Sequence, residues 1–275
     1  MNPIAAIGVL VFGGIALLWV VQSLLLLASG ERLAPPLRYQ TDKGSVVYPM
    51  KIMVQLGWLL IILVYPVLIG SDPPAFYGDA FHPPPPLKAM LIIAIACIAG
   101  FALIYLVYFA TGAIELAFIF SRRKTVRRLV GGLLTPVPLA IMEEAVFRGV
   151  LLHALLSWLN GTWGTVVAVA VSSAVFSSVH FVRRRDSKRK PMLQPAIGLF
   201  FVGVVLGSAY VAGGQTLWLP VTAHAAGILA VELPRSFVIY KASPKWIGYR
   251  SFPHSGPLGI IHMIALTALV WLLMK

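Results

Sequence analysis

The sequence predicts an all-α protein, a polytopic bundle of about eight membrane-spanning helices, and three observations predict it. Apolar residues fill 59% of the 275 positions and charged residues 11%, against roughly 45–50% and roughly 25% in a soluble domain. The apolar residues gather in runs of about 20, the length that crosses a hydrocarbon core. The basic residues gather between those runs, in alternate loops. A soluble globular fold and a disordered chain are both excluded by this composition.

The runs cover residues 4–28, 52–70, 88–120, 131–158, 163–182, 193–213, 216–234 and 258–274. The first has no basic n-region and is too long for a signal peptide, so it is expected to stay as a helix. The third is long enough to tilt or to project beyond the bilayer. The fourth opens with Gly131-Gly132 and carries Pro136 and Pro138. Proline is tolerated in a first turn, so the regular helix is expected to start near Pro138. Later runs offer Gly203, Gly207 and the Ala168–Ala174 region as small residues for close helix contact.

Most of the 22 basic residues lie in four loops, 29–51, 121–128, 183–192 and 235–257. The alternating loops are nearly uncharged. By the positive-inside rule the basic loops face the cytoplasm and both termini lie outside. This fits an integral protein of a prokaryotic (inner) membrane, with the lipid bilayer as its solvent. The outer loop 71–87 carries Asp72, Asp79 and the Pro83–Pro86 run, which reads as a stiff extended cap. The basic charge is therefore topological, and no base-reading face points to nucleic acid. The lone cysteine, Cys97, cannot form an intramolecular disulfide. No linker divides the chain, so 1–275 reads as one membrane domain, and nothing in it fixes an oligomeric state.

Only nine acidic residues occur, and Glu143 and Glu144 are adjacent inside the fourth run with Arg148 close by. An ionisable group at a membrane helix centre costs about 3 kcal/mol, so three within six residues call for a role. Glu144 and Arg148 are four apart in the favourable order for a pair on one helix face. Glu143 is turned about 100° from that face. The fifth run brings Phe176 and His180 to its inner end, at a depth similar to Glu143, and the seventh brings His224. A carboxylate and two imidazoles are the groups that serve as general base and acid near neutral pH. Phe176 reads more simply as packing.

The motifs Glu143-Glu144-x-x-x-Arg148, Phe176-x-x-x-His180 and His224, in this order, resemble those of the CAAX protease and bacteriocin-processing family. The family comprises glutamate-dependent intramembrane endopeptidases related to the type 2 CAAX prenyl endopeptidase. The resemblance covers residues 131–234, the expected catalytic core. It implies hydrolysis of a peptide bond in a membrane-associated or C-terminal peptide or protein substrate, without a cofactor. Glu143 would be the base on water, His180 would position that water and His224 would stabilise the oxyanion. Glu144, Arg148 and Phe176 would support them. One position departs: four residues after His224 the family carries asparagine or another polar residue, and this chain carries Ile228.

Three other functions compete. Carboxylates and histidines in membrane helices also build proton-coupled transporters, although no internal symmetry of matched broken helices is evident. Glu143, His180 and His224 could instead hold zinc in a metalloprotease, without a His-Glu-x-x-His helix to support it. A non-catalytic scaffold or immunity protein would also keep the fold. Among the remaining ionisable residues, Glu115 is expected to reach inner-side charges near Arg122, His153 to belong to the outer half, and Glu232 to pair with Arg235 at a helix end. His82, His254 and His262 occur singly near span ends. The topology is testable with single cysteines at Ser187 and Ala80 in a Cys97→Ala background. An impermeant thiol reagent should label Ala80→Cys from outside and Ser187→Cys only from inside; the reverse pattern would overturn the assignment.

Overall fold

Proline opens several of the helices, at Pro3, Pro73, Pro136, Pro244 and Pro257, since its missing N–H costs nothing in a first turn. The computed structural model describes residues 1–35, 43–117, 120–182, 193–248 and 252–275. Helix α1 (Pro3–Ala28) starts on Pro3, and the Asn2 side chain accepts from Ile4 N at 2.9 Å. Helix α2 spans Gly44–Leu68. Helix α3 (Pro73–Ala80) starts on a proline pair, with Asp72 accepting from Ala75 N at 3.1 Å. The segment 71–87, expected as an outer loop, is therefore not a wholly extended cap. Its first half is a short helix, because Asp72 followed by Pro73-Pro74 is an N-terminal capping signal.

Helix α4 (Leu87–Ala110) ends ten residues before the apolar run does. Gly112, at φ +69°, turns the chain in a conformation that favours glycine. Beyond it, strand β1 (Ile114–Leu116) pairs antiparallel with β2 (Val238–Tyr240), Ile114 opposite Tyr240. Glu115 forms an ion pair with Lys241 across this ribbon, a charge of the basic segment 235–257.

The expected basic loop 121–128 is helical. Helix α5 (Arg122–Leu134) is amphipathic, exposing Val126, Val130 and Leu133 at spacings of four and three, with the basic residues beside them. Thr135 alone separates it from α6 (Pro136–Glu144), which begins at Pro136 rather than at Pro138. From Ala145 to Leu152 the helix widens into π geometry, then returns to α form as α7 (His153–Trp158). Helices α8 (Gly161–Val182), α9 (Leu193–Ala212), α10 (Trp218–Glu232), α11 (Pro244–Ile247) and α12 (Pro257–Leu273) complete the bundle. The segment 183–192, with its basic cluster, lies outside the described residues, as do Arg38 and Arg250.

The protein is a helical membrane bundle. Among the described residues five helices are long and apolar enough to cross a membrane: α1, α2, α4, α8 and α9. The other three expected spans are shorter or broken. Helix α12 has 17 residues and α10 has 15, and the fourth run is divided by the π segment. Helix α10 packs against α4, α6 and α9. Its ends are set by the Gly213-Gly214 turn before it and by Pro234 after it.

Close contact between α8 and α9 depends on the small residues singled out in the sequence. A Cβ on Gly203 would stand 2.8 Å from Ser173 Cα, and one on Gly207 would stand 3.0 Å from Val169 Cγ1. Gly203→Ala should therefore force the helices apart, at a cost of about 1–3 kcal/mol. A lowered Tm in detergent, with Gly207→Ala milder, is the expected result; an unchanged Tm for Gly203→Ala would contradict the packing.

Candidate active site

Local sequence first fixes the two glutamates and the arginine. Glu143 and Glu144 are the last residues of α6, and Arg148 lies in the π segment that follows. All three side chains are buried, Glu144 and Arg148 completely. Arg148 Nη1 donates to Glu144 Oε1 at 3.1 Å, and Nη2 donates to the Gly203 carbonyl at 3.0 Å. The guanidinium also stands 4.9 Å from the Phe176 ring centroid, a favourable place for a desolvated cation. The pair foreseen from the i, i+4 spacing is thus present, with Gly203 as an unforeseen third member.

Helix α8 supplies Phe176 and His180 near its C-terminal end. His180 Nδ1 lies 2.9 Å from the Phe176 carbonyl, which can only accept, so Nδ1 carries the proton. The other nitrogen, Nε2, then faces Glu143 Oε2 at 3.4 Å. Helix α10 supplies His224, whose Nδ1 lies 2.6 Å from Glu144 Oε1. Glu144 is held as a carboxylate by Arg148, so this nitrogen also donates. His224 Nε2 is left directed at Glu143 Oε2, 3.7 Å away. Both imidazoles therefore turn the same nitrogen toward one carboxyl oxygen.

Glu144 tolerates burial because its Oε1 faces two groups at once, the Arg148 guanidinium and His224 Nδ1. Phe176 fills the space between the polar groups, 4.4 Å from the His180 ring and 5.9 Å from the His224 ring. It is buried with Phe147, Leu199, Leu206 and Ala223. Its packing reading stands beside its contact with the Arg148 cation.

The structure brings Glu143, Glu144, Arg148, Phe176, His180 and His224 into one cluster. Ile228 is not in it; it lines a cavity one helical turn away. His153 lies apart, with Nδ1 3.3 Å from the Tyr210 hydroxyl. Glu232 pairs with Arg235 as its position suggested. Sequence reasoning treated Glu144 as the partner of Arg148 alone, whereas it also orients His224. No sequence signal carries that contact, which joins residues 80 apart. Among the described residues no three His, Cys, Asp or Glu side chains form a metal-ligand set.

Because Glu144 faces Arg148 and His224 at once, Glu144→Gln should disturb both. It leaves Arg148 buried without its counter-charge, a loss on the order of 3 kcal/mol. Thermal unfolding in detergent should show the loss, and Glu144→Gln/Arg148→Met should recover much of it. If the double variant is no more stable than the single one, the buried pair is not the source of the loss.

Residues 125–228 match the family model described as type II CAAX prenyl endopeptidase, Rce1-like. The segment holds all six clustered residues and Ile228. It agrees with the family that the sequence motifs resemble, and that family's activity is peptide hydrolysis by a CAAX-type membrane protease. No curated protein and no solved structure matches the chain.

Proposed function

We propose that this Rce1-like core hydrolyses a peptide bond of a membrane-associated or C-terminal substrate by general-base catalysis from Glu143. The observation that carries the reading is the convergence of His180 Nε2 and His224 Nε2 on Glu143 Oε2, at 3.4 and 3.7 Å. With Nδ1 of His180 donating to the Phe176 carbonyl, its Nε2 and the Glu143 carboxylate are both acceptors, and a group with two protons to donate can bridge them.

The three groups divide the work by their protonation. The Glu143 carboxylate and the neutral His180 Nε2 are both acceptors, and a water molecule has two protons to donate to them. Glu143 takes one proton as the water oxygen attacks the scissile carbonyl. The carbonyl oxygen then carries the negative charge. His224, protonated against Glu144, donates from Nε2 to that oxygen, the electrostatic contribution that weighs most in acyl transfer. Glu143 finally returns its proton to the leaving amine as the C–N bond breaks. Glu144, Arg148 and the Gly203 carbonyl act through position, by holding His224 in one tautomer and one orientation.

The hydrogen-bonded Nδ1 atoms also resemble the outer contacts of metal-bound histidines, so a zinc site at Glu143, His180 and His224 is the second reading. The two readings separate in one experiment on the purified protein with a membrane-anchored fluorogenic peptide library. Glu143→Gln keeps the shape of the side chain but cannot take the proton, and turnover should fall by at least about 10²-fold. Strong chelators should leave wild-type cleavage intact. Cleavage by Glu143→Gln at near wild-type rate would remove the assigned base, and chelator loss restored by zinc would favour the metal.

A further inference from the structure

Between Glu115 and Glu143 the chain carries five basic residues and no acidic one. All five lie in the first two turns of α5, and Arg122, Arg123, Lys124 and Arg127 are exposed. Among the described residues none of the five forms an ion pair. Lys124 Nζ and the Arg128 guanidinium lie over the Phe120 ring, 4.3 and 4.6 Å from its centroid. Arg122, Arg123 and Arg127 have neither a ring nor a carboxylate against them. Three of the five cations occupy the first turn, where the helix dipole is itself positive. The helix alone is therefore unfavourably charged at this end, and an anion from outside it would relieve the repulsion.

The apolar side chains of α5 indicate where that anion resides. The face turned to the bundle is marked by buried Thr125 and by Gly132, where a Cβ would stand 3.5 Å from Leu233 Cδ2. The other face carries Val126, Val130, Leu133 and Leu134, all exposed. At about 100° per residue these four form a stripe about 100° wide. Arg122 falls beside one edge of the stripe, and Arg123 and Arg127 fall at the other. A spanning helix does not carry five cations. An apolar stripe edged by arginine suits a helix lying in the bilayer surface, its arginine stems along the lipid and its guanidinium heads among the headgroups. The position in the chain agrees, because Thr135 alone separates α5 from α6. Exposed Val137 and Ile141 on α6 carry the apolar surface on toward the membrane.

We infer that α5 is a docking surface for anionic phospholipids. Headgroup phosphates pair with Arg122, Arg123 and Arg127, whose forked guanidinium groups fit a phosphate. Acyl chains lie against Val126, Val130 and Leu133. Lipid held in this way pins the end of α6, the helix that carries Glu143 and Glu144, so anionic lipid stabilises the folded bundle. The inference does not depend on the role proposed for Glu143.

The test uses the full chain in mixed micelles, with a bimane fluorophore on Val130→Cys in a Cys97→Ala background. Brominated phosphatidylglycerol and brominated phosphatidylcholine are titrated as quenchers at low and at high salt. In low salt phosphatidylglycerol should reach half-quenching at about a tenfold lower mole fraction, and high salt should shrink the difference. A cation near a charged membrane surface changes affinity about fivefold. The triple variant Arg122→Gln/Arg123→Gln/Arg127→Gln should thus bring the two lipids to within about twofold, whereas lysine at the same three positions should keep most of the preference. A label at Val9→Cys, exposed on α1, should show no preference between the lipids. Thermal unfolding gives a second readout: phosphatidylglycerol should raise the Tm of wild type and of the lysine variant, and leave that of the glutamine variant unchanged. Equal half-quenching at Val130→Cys by the two lipids, or a preference unaltered by the glutamine substitutions, would overturn the inference. Absence of quenching by either lipid would also overturn it, by placing α5 in water and pointing to an acidic protein or a nucleic acid instead.

Discussion

The structure is organised around one constraint, the burial of two glutamates and an arginine in an apolar helical bundle. A lone charge there is costly, and a lone polar atom nearly as much so. Glu144 meets the constraint by serving two donors at once, Arg148 Nη1 at 3.1 Å and His224 Nδ1 at 2.6 Å. Arg148 in turn needs a second acceptor, and the Gly203 carbonyl provides it at 3.0 Å. Three separate helical segments are thereby tied to one carboxylate.

That tie dictates local geometry. The helix carrying Arg148 widens into π form over Ala145–Leu152, a distortion that often marks functional positions. A widened turn leaves carbonyl groups poorly served by the backbone ladder, and Ser172 Oγ donates to the Phe147 carbonyl at 3.1 Å. For Gly203 to present its carbonyl to Arg148, α9 must lie close to the neighbouring elements. The absence of a side chain at Gly203 permits its contact with Ser173 on α8. Phe176 then fills the volume left among the charged groups, with Phe147 edge-on to it at 5.0 Å. Polar pairing and close packing are parts of the same arrangement.

The cavity beside the site follows from how the chain enters the bundle. Helix α5 is polar and apolar on different faces, so it suits the boundary between lipid and water. One residue later Pro136 starts α6, and the change of direction leaves space beside α10. That space lies beside Leu139 and Ile228, one helical turn along α6 and α10 from Glu143 and His224.

Much of this was legible in the sequence, because the properties concerned are set along one dimension. Run length and loop charge announce a membrane bundle, since the thickness of the hydrocarbon core is fixed. The Glu144–Arg148 pair follows from four-residue spacing, and the close helix approach follows from Gly203 and Gly207. Other features depend on distances that the order of residues does not encode. The sequence placed a loop at 121–128 where a helix forms, and it carried the third span past Gly112, because apolar content outweighed a single turn residue. It could not show that β1 and β2 pair, or that His224 turns Nδ1 to Glu144 and leaves Nε2 facing Glu143. Nor could it show that Ile228 lines a cavity instead of joining the polar cluster. The sequence by itself determined which residues had to be buried and which faces they share. The tertiary structure alone decided which atoms meet, because hydrogen bonds depend on tenths of an ångström between segments far apart in the chain.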